Sequence, residues 1–298
     1  MNQKFDIGLN AKLNEFAKKF GIKRTYKNDS YVFENFGNYV ISSVLLEDKI
    51  EDISSISTNG AQGIDGIIFI INNRLITNES DLETIGAFEK IDIKIGFVQS
   101  TIEKSFDTQK FSAFTDEVVK FLIGNINIEP FSNIYNKLLN DNGKYINLID
   151  DTPSISLYFL SAKTKHNISI KTIESEKQKI ANRKELQGRC NLSEFKLYQI
   201  NEIKEEYEKI EKFHSVQIEL SPNIQLPNVS DDIEMGILAP IKFSEFKKLI
   251  LTKDKKLKER LFVENVRSYI GDTKINNDIR NTLDNEDDRK FSNILIMA

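Results

Sequence analysis

The sequence predicts an α/β fold, on three observations. Short β-branched apolar runs of strand length recur at residues 63–71, 93–101 and 155–160. Segments with apolar residues at helical spacing lie around them, at residues 8–20, 31–46 and 105–123. The chain has 298 residues, 40% hydrophobic and 29% charged, a globular composition with length for two ordinary domains or one large one.

In chain order, Leu9, Leu13, Phe16 and Phe20 define the first helix, which Gly21 stops. Asp29 and Ser30 cap a second helix from Tyr31 to about Leu46, with Glu34 in its first turns. Residues 47–61 are polar and read as a loop. The run 63–71 is a strand, and Asn72-Asn73 suits a tight turn into residues 74–76, because Asn tolerates positive φ. Residues 78–90 read as a helix, 93–101 as a strand and 105–123 as an amphipathic helix carrying Phe111, Phe114, Val118 and Phe121. A helix over 132–139 and a strand over 155–160 follow, the latter just after Pro153, which is tolerated at a strand start. Residues 171–185 and 190–212 read as helices, 216–220 as a strand, 221–230 as a Pro/Asn linker, 235–241 as a strand and 243–252, 255–269 and 274–283 as helices.

Strand parity locates candidate chemistry. Alternate strand residues share a face. Ile93, Ile95 and Phe97 therefore share a face with Gln99 and Thr101, so one apolar face turns polar only at its end, while Lys94 lies on the other face. If strands 63–71 and 93–101 are antiparallel neighbours, Asp65 and Gln99 meet at one sheet edge, where oxygen ligands can hold a hard cation. Alternatively, Asp65 is a turn or cap residue and Gln99 a surface residue.

Other chemistries have less to stand on. The only cysteine is Cys190 and the only histidines are His166 and His214, which leaves no common Cys/His zinc site and no intrachain disulfide. No GxxxxGK[ST] or GxGxxG loop occurs. The net charge of −4 gives no global attraction to nucleic acid, so such a surface has to be a local basic patch. The longest apolar runs are far shorter than a membrane span, and the N-terminus lacks the apolar core of a signal peptide, so the expected location is cytoplasmic with no membrane association.

Two blocks resemble known families. The order of a helix with Glu34, a strand with Gly63-Ile-Asp-Gly66 and a strand ending Val98-Gln-Ser-Thr101 resembles restriction-endonuclease-like nucleases of the PD-(D/E)XK type. The stretch Phe97-Val-Gln-Ser-Thr-Ile-Glu-Lys-Ser-Phe-Asp107 is similar to their wider Val-Gln-Ser-Lys motif. The second block, Leu261-Phe-Val-Glu-Asn-Val-Arg-Ser-Tyr-Ile-Gly271 with Asn276, Ile279, Thr282 and Leu283, resembles the AIPR family of bacterial abortive-infection, phage-resistance proteins.

The resemblance implies a restriction-endonuclease-like mixed sheet flanked by helices over residues 1–165. It implies a helical connector with one strand over 166–229, and the start of the AIPR signature region over 230–298, in a helix-rich α+β segment. It implies Mg²⁺ held by Glu34, Asp65 and Gln99, phosphodiester hydrolysis, and DNA or RNA as partner, with a homodimer left open. Thr101 stands where the family has its lysine, and Lys104 is the nearest replacement. The alternative is a catalytically inactive scaffold that binds nucleic acid or a protein partner. The family's Asn-Asn-Gly-Ile-Thr segment should begin about where the chain ends, so a truncated product is expected.

Lys256, Arg260, Asn265 and Arg267 are nucleic-acid-binding candidates. The basic run 253–260 reads equally as a solvated helix face, Arg267 as a carboxylate partner, Asn265 as a backbone bridge and Asn276 as a helix cap. Tyr31, Phe33 and Phe36 read as core rather than as a base-stacking platform.

Overall fold

A computed structural model describes residues 5–60, 63–83, 85, 90–102, 108–139, 144–163, 168–211, 224–226, 236–238, 240–251 and 281. Two helices, α1 (Ile7–Lys19) and α2 (Asp29–Leu46), precede the first hairpin, β1 (Gly66–Ile71) and β2 (Arg74–Ile76). Then come α3 (Glu79–Glu83), β3 (Ile93–Thr101), α4 (Thr108–Leu122), α5 (Phe131–Leu139), β4 (Ser154–Ser161), α6 (Ile170–Ala181), β5 (Asn191–Tyr198) and α7 (Ile200–Glu211). Short strands β6 (Ile224–Leu226) and β7 (Gly236–Leu238) pair antiparallel, and α8 covers Phe243–Ile250.

The α/β class holds. One five-stranded mixed sheet runs β2-β1-β3-β4-β5. The β2–β1 and β1–β3 pairs are antiparallel, and β3–β4 and β4–β5 are parallel. Every residue of β1 is buried, as expected of a strand covered on both faces. The β1–β2 turn is the one its sequence demands, with Asn72 and Asn73 at φ of 50° and 62°.

Alternation divides the core in two. Ile67, Phe69, Ile71, Ile93, Ile95, Phe97, Leu157 and Phe159 pack with α4 and α5. Ile68, Ile70, Val98, Tyr158 and Leu160 pack under α1, α2 and α7. Helix α2 is buried nearly all round, its polar Asn35, Asn38, Ser42 and Ser43 included, because it is enclosed. Gly37 lets it close on the sheet, since a Cβ there would sit 2.8 Å from Ser100 Oγ and 2.9 Å from Leu160 Cδ2. The helix stops at Glu47, which takes a left-handed conformation and donates its N–H to the Ser43 and Val44 carbonyls.

The structure corrects several expectations. Residues 191–198 form the edge strand β5, not the first half of a helix; the helix begins only at Ile200. That strand pairs with β4, so the sheet runs past the expected boundary at residue 165, and α7 packs on α2 beyond it. Asp29 lies inside α2 with Asn28 as its cap, and Asp29 instead pairs with Arg24. Residues 224–226 within the expected linker are strand β6. Of the helix read over 78–90, only Glu79–Glu83 is α-helical among the described residues. The strand read over 216–220 and the helix over 255–269 lie outside the described residues, as does all but residue 281 of the helix over 274–283.

A polar clamp ties the end of α7 to α1 and α2. The Glu211 carboxylate accepts from Lys19 Nζ at 3.0 Å, Tyr39 OH at 2.9 Å and Lys49 Nζ at 3.2 Å. Burial works to raise the Glu211 pKa, but the bonds from Lys19, Tyr39 and Lys49 outweigh it and hold it below the usual carboxylate range. Burial and the Glu211 bond push the Tyr39 phenol far up, so it stays a donor. Charge-assisted bonds of this kind contribute roughly 1.5–3 kcal/mol. Glu211→Gln should cost about 2 kcal/mol in urea unfolding at pH 7. Because the folded pKa is depressed, that difference is present above the unfolded pKa and should shrink as pH falls through the folded value. A difference that persists undiminished at pH 3 would sink this account.

Candidate functional site

The antiparallel register sets Gly66 opposite Val98 and so brings Asp65 to Gln99 at the end of β3. Asp65 is held from several sides. Its N–H donates to the Val98 carbonyl at 2.8 Å. Its own carbonyl accepts from Thr58 N at 3.1 Å and from Asn38 Nδ2, on α2, at 2.9 Å. The side chain caps β3, with Oδ2 accepting the Ser100 N–H at 2.6 Å. Next to it, the Thr58 hydroxyl donates to the Ile64 carbonyl.

This carboxyl is only 5% exposed. Burial pushes its pKa up, the negative charge of Glu34 pushes it further, and the Ser100 N–H pulls it part of the way back; the result is about 7. Glu34 reaches the site from the first turns of α2, steadied by a bond from Ser30 Oγ at 3.1 Å. Two of the three expected metal ligands are thus electrostatically coupled across the gap between α2 and β1.

The third, Gln99, folds its amide back along its own strand, donating Nε2 to the Ser100 carbonyl at 3.2 Å. Its Oε1 is buried without a hydrogen-bond partner. A buried amide oxygen left without a donor costs roughly 1–3 kcal/mol, which a bound cation or donor would offset. Gln99, Ser100 and Thr101 line a cavity of about 300 Å³ together with Ser30, Gly63 and, from α4, Lys110 and Glu117. Thr101 is buried at the strand end, as parity predicts.

Two carboxylates and one amide oxygen would be an all-oxygen donor set suited to Mg²⁺ rather than to zinc, but Asp65 and Glu34 are not among the residues that line the Gln99 cavity. Among the described residues, no three His, Cys, Asp or Glu side chains cluster, so a three-ligand site built from those residues needs the amide. Lys104 lies outside the described residues, as do Lys256, Arg260, Asn265 and Arg267.

Lys110 is the one basic side chain among the described residues lining the cavity, and sequence reasoning passed over it. Its signal was present: residues 110, 113, 114 and 117 of α4 all line the cavity at i, i+3, i+4 and i+7. Asn38, which fixes the Asp65 backbone, had no such signal. Tyr31, read as core, is instead 47% exposed, whereas Phe33 and Phe36 are fully buried. No helix among the described residues is long and apolar enough to cross a membrane. No protein-family model, no curated protein and no solved structure matches the chain.

Proposed function

We propose that this chain is a phage-defence protein built on a restriction-endonuclease-like scaffold that hydrolyses nucleic-acid phosphodiesters with Mg²⁺. The observation that carries the reading is the buried Asp65 carboxyl, set opposite Gln99 and coupled to Glu34 at the point where β1 and β3 meet. Asp65, Glu34 and the Gln99 amide oxygen would hold the ion. Bound there, Mg²⁺ supplies positive charge to a phosphoryl oxygen and acidifies water. The chain's own contribution is placement. Asn38, Thr58 and Val98 fix the Asp65 backbone, the Ser100 N–H orients its carboxyl, and Ser30 steadies Glu34. Lys110 brings a cation to the wall shared by Gln99 and Thr101, which a phosphate entering the cavity would meet. The AIPR resemblance, which rests on residues 261–283, supports the defence role.

A second reading has one observation in its favour. Position 101 carries a hydroxyl where the nuclease motif has a lysine, and a hydroxyl brings no charge to the transition state. On that reading the scaffold binds nucleic acid or a partner without cleaving. Plasmid cleavage in Mg²⁺ decides between the two. The wild type should nick DNA, with Asp65→Ala slower by at least about 100-fold, the scale of losing one group that stabilises a transition state. If both nick equally poorly, the catalytic reading is wrong. Salt-sensitive DNA binding that survives Asp65→Ala without metal then supports the binding scaffold.

A further inference from the structure

The end of α1 and its connection to α2 concentrate positive charge in the sequence. Residues 18–28 contain Lys18, Lys19, Lys23, Arg24 and Lys27 and no acid, in a chain with 41 basic and 45 acidic residues. Two of these cations are engaged within the fold: Lys19 bonds Glu211, and Arg24 bonds Asp29, the Asn10 carbonyl and Asn14. Lys18, Lys23 and Lys27 are exposed. Two large aromatic residues share this exposed surface, Tyr26 at 75% and Tyr31 at 47%.

The segment is braced rather than loose. Asn28 Oδ1 accepts from the Thr25 N–H at 2.7 Å and from the Thr25 hydroxyl at 3.1 Å, while its Nδ2 donates to the Lys23 carbonyl at 3.0 Å. Arg24 pins the same loop to α1. Lys27 Nζ sits 5.9 Å from the centre of the Tyr26 ring. A prefolded loop gives up little conformational entropy when a ligand settles on it.

The surface leads into the site. Tyr31 follows Ser30, which lines the cavity with Gly63 and Gln99, and it lies one helical turn before Glu34. Exposed rings beside lysines are what unpaired bases and their phosphates require. Every base has a π-face, whereas bases in a duplex hide theirs in the stack.

We propose that residues 23–31 form a platform for single-stranded nucleic acid, with bases stacking on Tyr26 and Tyr31 and phosphates on Lys23 and Lys27, so that the strand enters the Asp65–Glu34 end of the sheet over Ser30. The inference rests on the nuclease-scaffold reading for its direction, but its binding test does not.

The test uses the full chain in EDTA and a dye-labelled 20-nucleotide DNA of mixed sequence, read by fluorescence anisotropy as a single strand and as a duplex. The single strand should bind more tightly than the duplex. Tyr26→Ala and Tyr31→Ala should each weaken single-strand binding at least about fivefold, while the Phe variants stay within about twofold of wild type. Changing Lys23 and Lys27 together to Gln should make the dependence of log K on log salt shallower by about 1.4.

Both tyrosines are exposed, so thermal unfolding of the variants should match wild type. A wild type that binds duplex as tightly as single strand, or Ala variants that bind like wild type, would overturn the platform. The two readings separate cleanly. Cleavage indifferent to Asp65 with tyrosine-dependent binding rejects the nuclease and keeps the platform. Asp65-dependent cleavage with binding indifferent to both tyrosines does the reverse.

Discussion

In EDTA, Asp65→Asn should be more stable than the wild-type chain at pH 8 and close to it at pH 3. The reason is the buried carboxyl at the end of the sheet. Burial, and then Glu34, raise its pKa from 3.8 to about 7. Between those values the folded chain keeps a proton that the unfolded chain has released, so wild-type stability falls as pH rises through the window. At pH 8 the folded state holds a buried carboxylate beside another, a penalty on the order of 4 kcal/mol. Asparagine carries no charge at either pH, and its oxygen can still accept the Ser100 N–H. Titrating groups that do not interact with Asp65 are common to both chains and cancel in the comparison. Urea unfolding at the two pH values measures the difference, and a wild-type-minus-variant stability that does not change with pH rules the account out. The same linkage gives Mg²⁺ a signature independent of cleavage. If the ion is held at Asp65, it should restore wild-type stability at pH 8 and, near pH 6 where the carboxyl is still protonated, release close to one proton on binding, and it should do neither for Asp65→Asn.

The pairing that creates this site was legible from strand parity. Two β-branched runs and a polar end on the second put Asp65 across from Gln99 on the condition that the strands pair antiparallel, a condition the register of β1 and β3 meets. That inference is robust because a one-residue slip would turn Ile93, Ile95 and Phe97 away from the α4 side of the core. What surrounds the pair was less legible. Residues 191–198 were read as helix because Phe195 and Leu197 run on into Ile200, Ile203 and Tyr207. An edge strand with one face exposed can share that pattern, and only pairing with β4 decides it. Tyr31 was misplaced for a related reason. It sits one residue from Val32 and two from Phe33, both fully buried, but shares the exposed side of the first turn of α2 with Ser30. Lys110 shares a helical stripe with residues 113, 114 and 117, but that this stripe faces the site, like the role of Asn38, depends on where α4 and α2 cross the sheet.

Asn38 is the residue through which that crossing can be tested. It is almost fully buried, and its amide holds the Asp65 carbonyl. Directly beneath it lies Gly66, where a Cβ would come within 2.7 Å of Asn38 Cγ. Gly66→Ala therefore cannot be accommodated by a small adjustment. Either Asn38 rotates and gives up its bond to Asp65, or α2 lifts from β1. Overpacking costs roughly 1–3 kcal/mol and a lost buried hydrogen bond a similar amount, so the variant should lose about 3 kcal/mol in urea unfolding. Asn38→Ala alone should cost less, because it also removes a buried carbonyl oxygen that has no partner. Combined, the two changes should be less harmful than their sum by about 2 kcal/mol, since alanine at position 38 leaves room for the new methyl group. Strict additivity would mean that the contact does not control the packing of α2. The site supplies a second readout. Lifting α2 carries Glu34 away from Asp65 and weakens the repulsion between them, so Gly66→Ala should lower the Asp65 pKa, and the double variant should bring it back toward about 7.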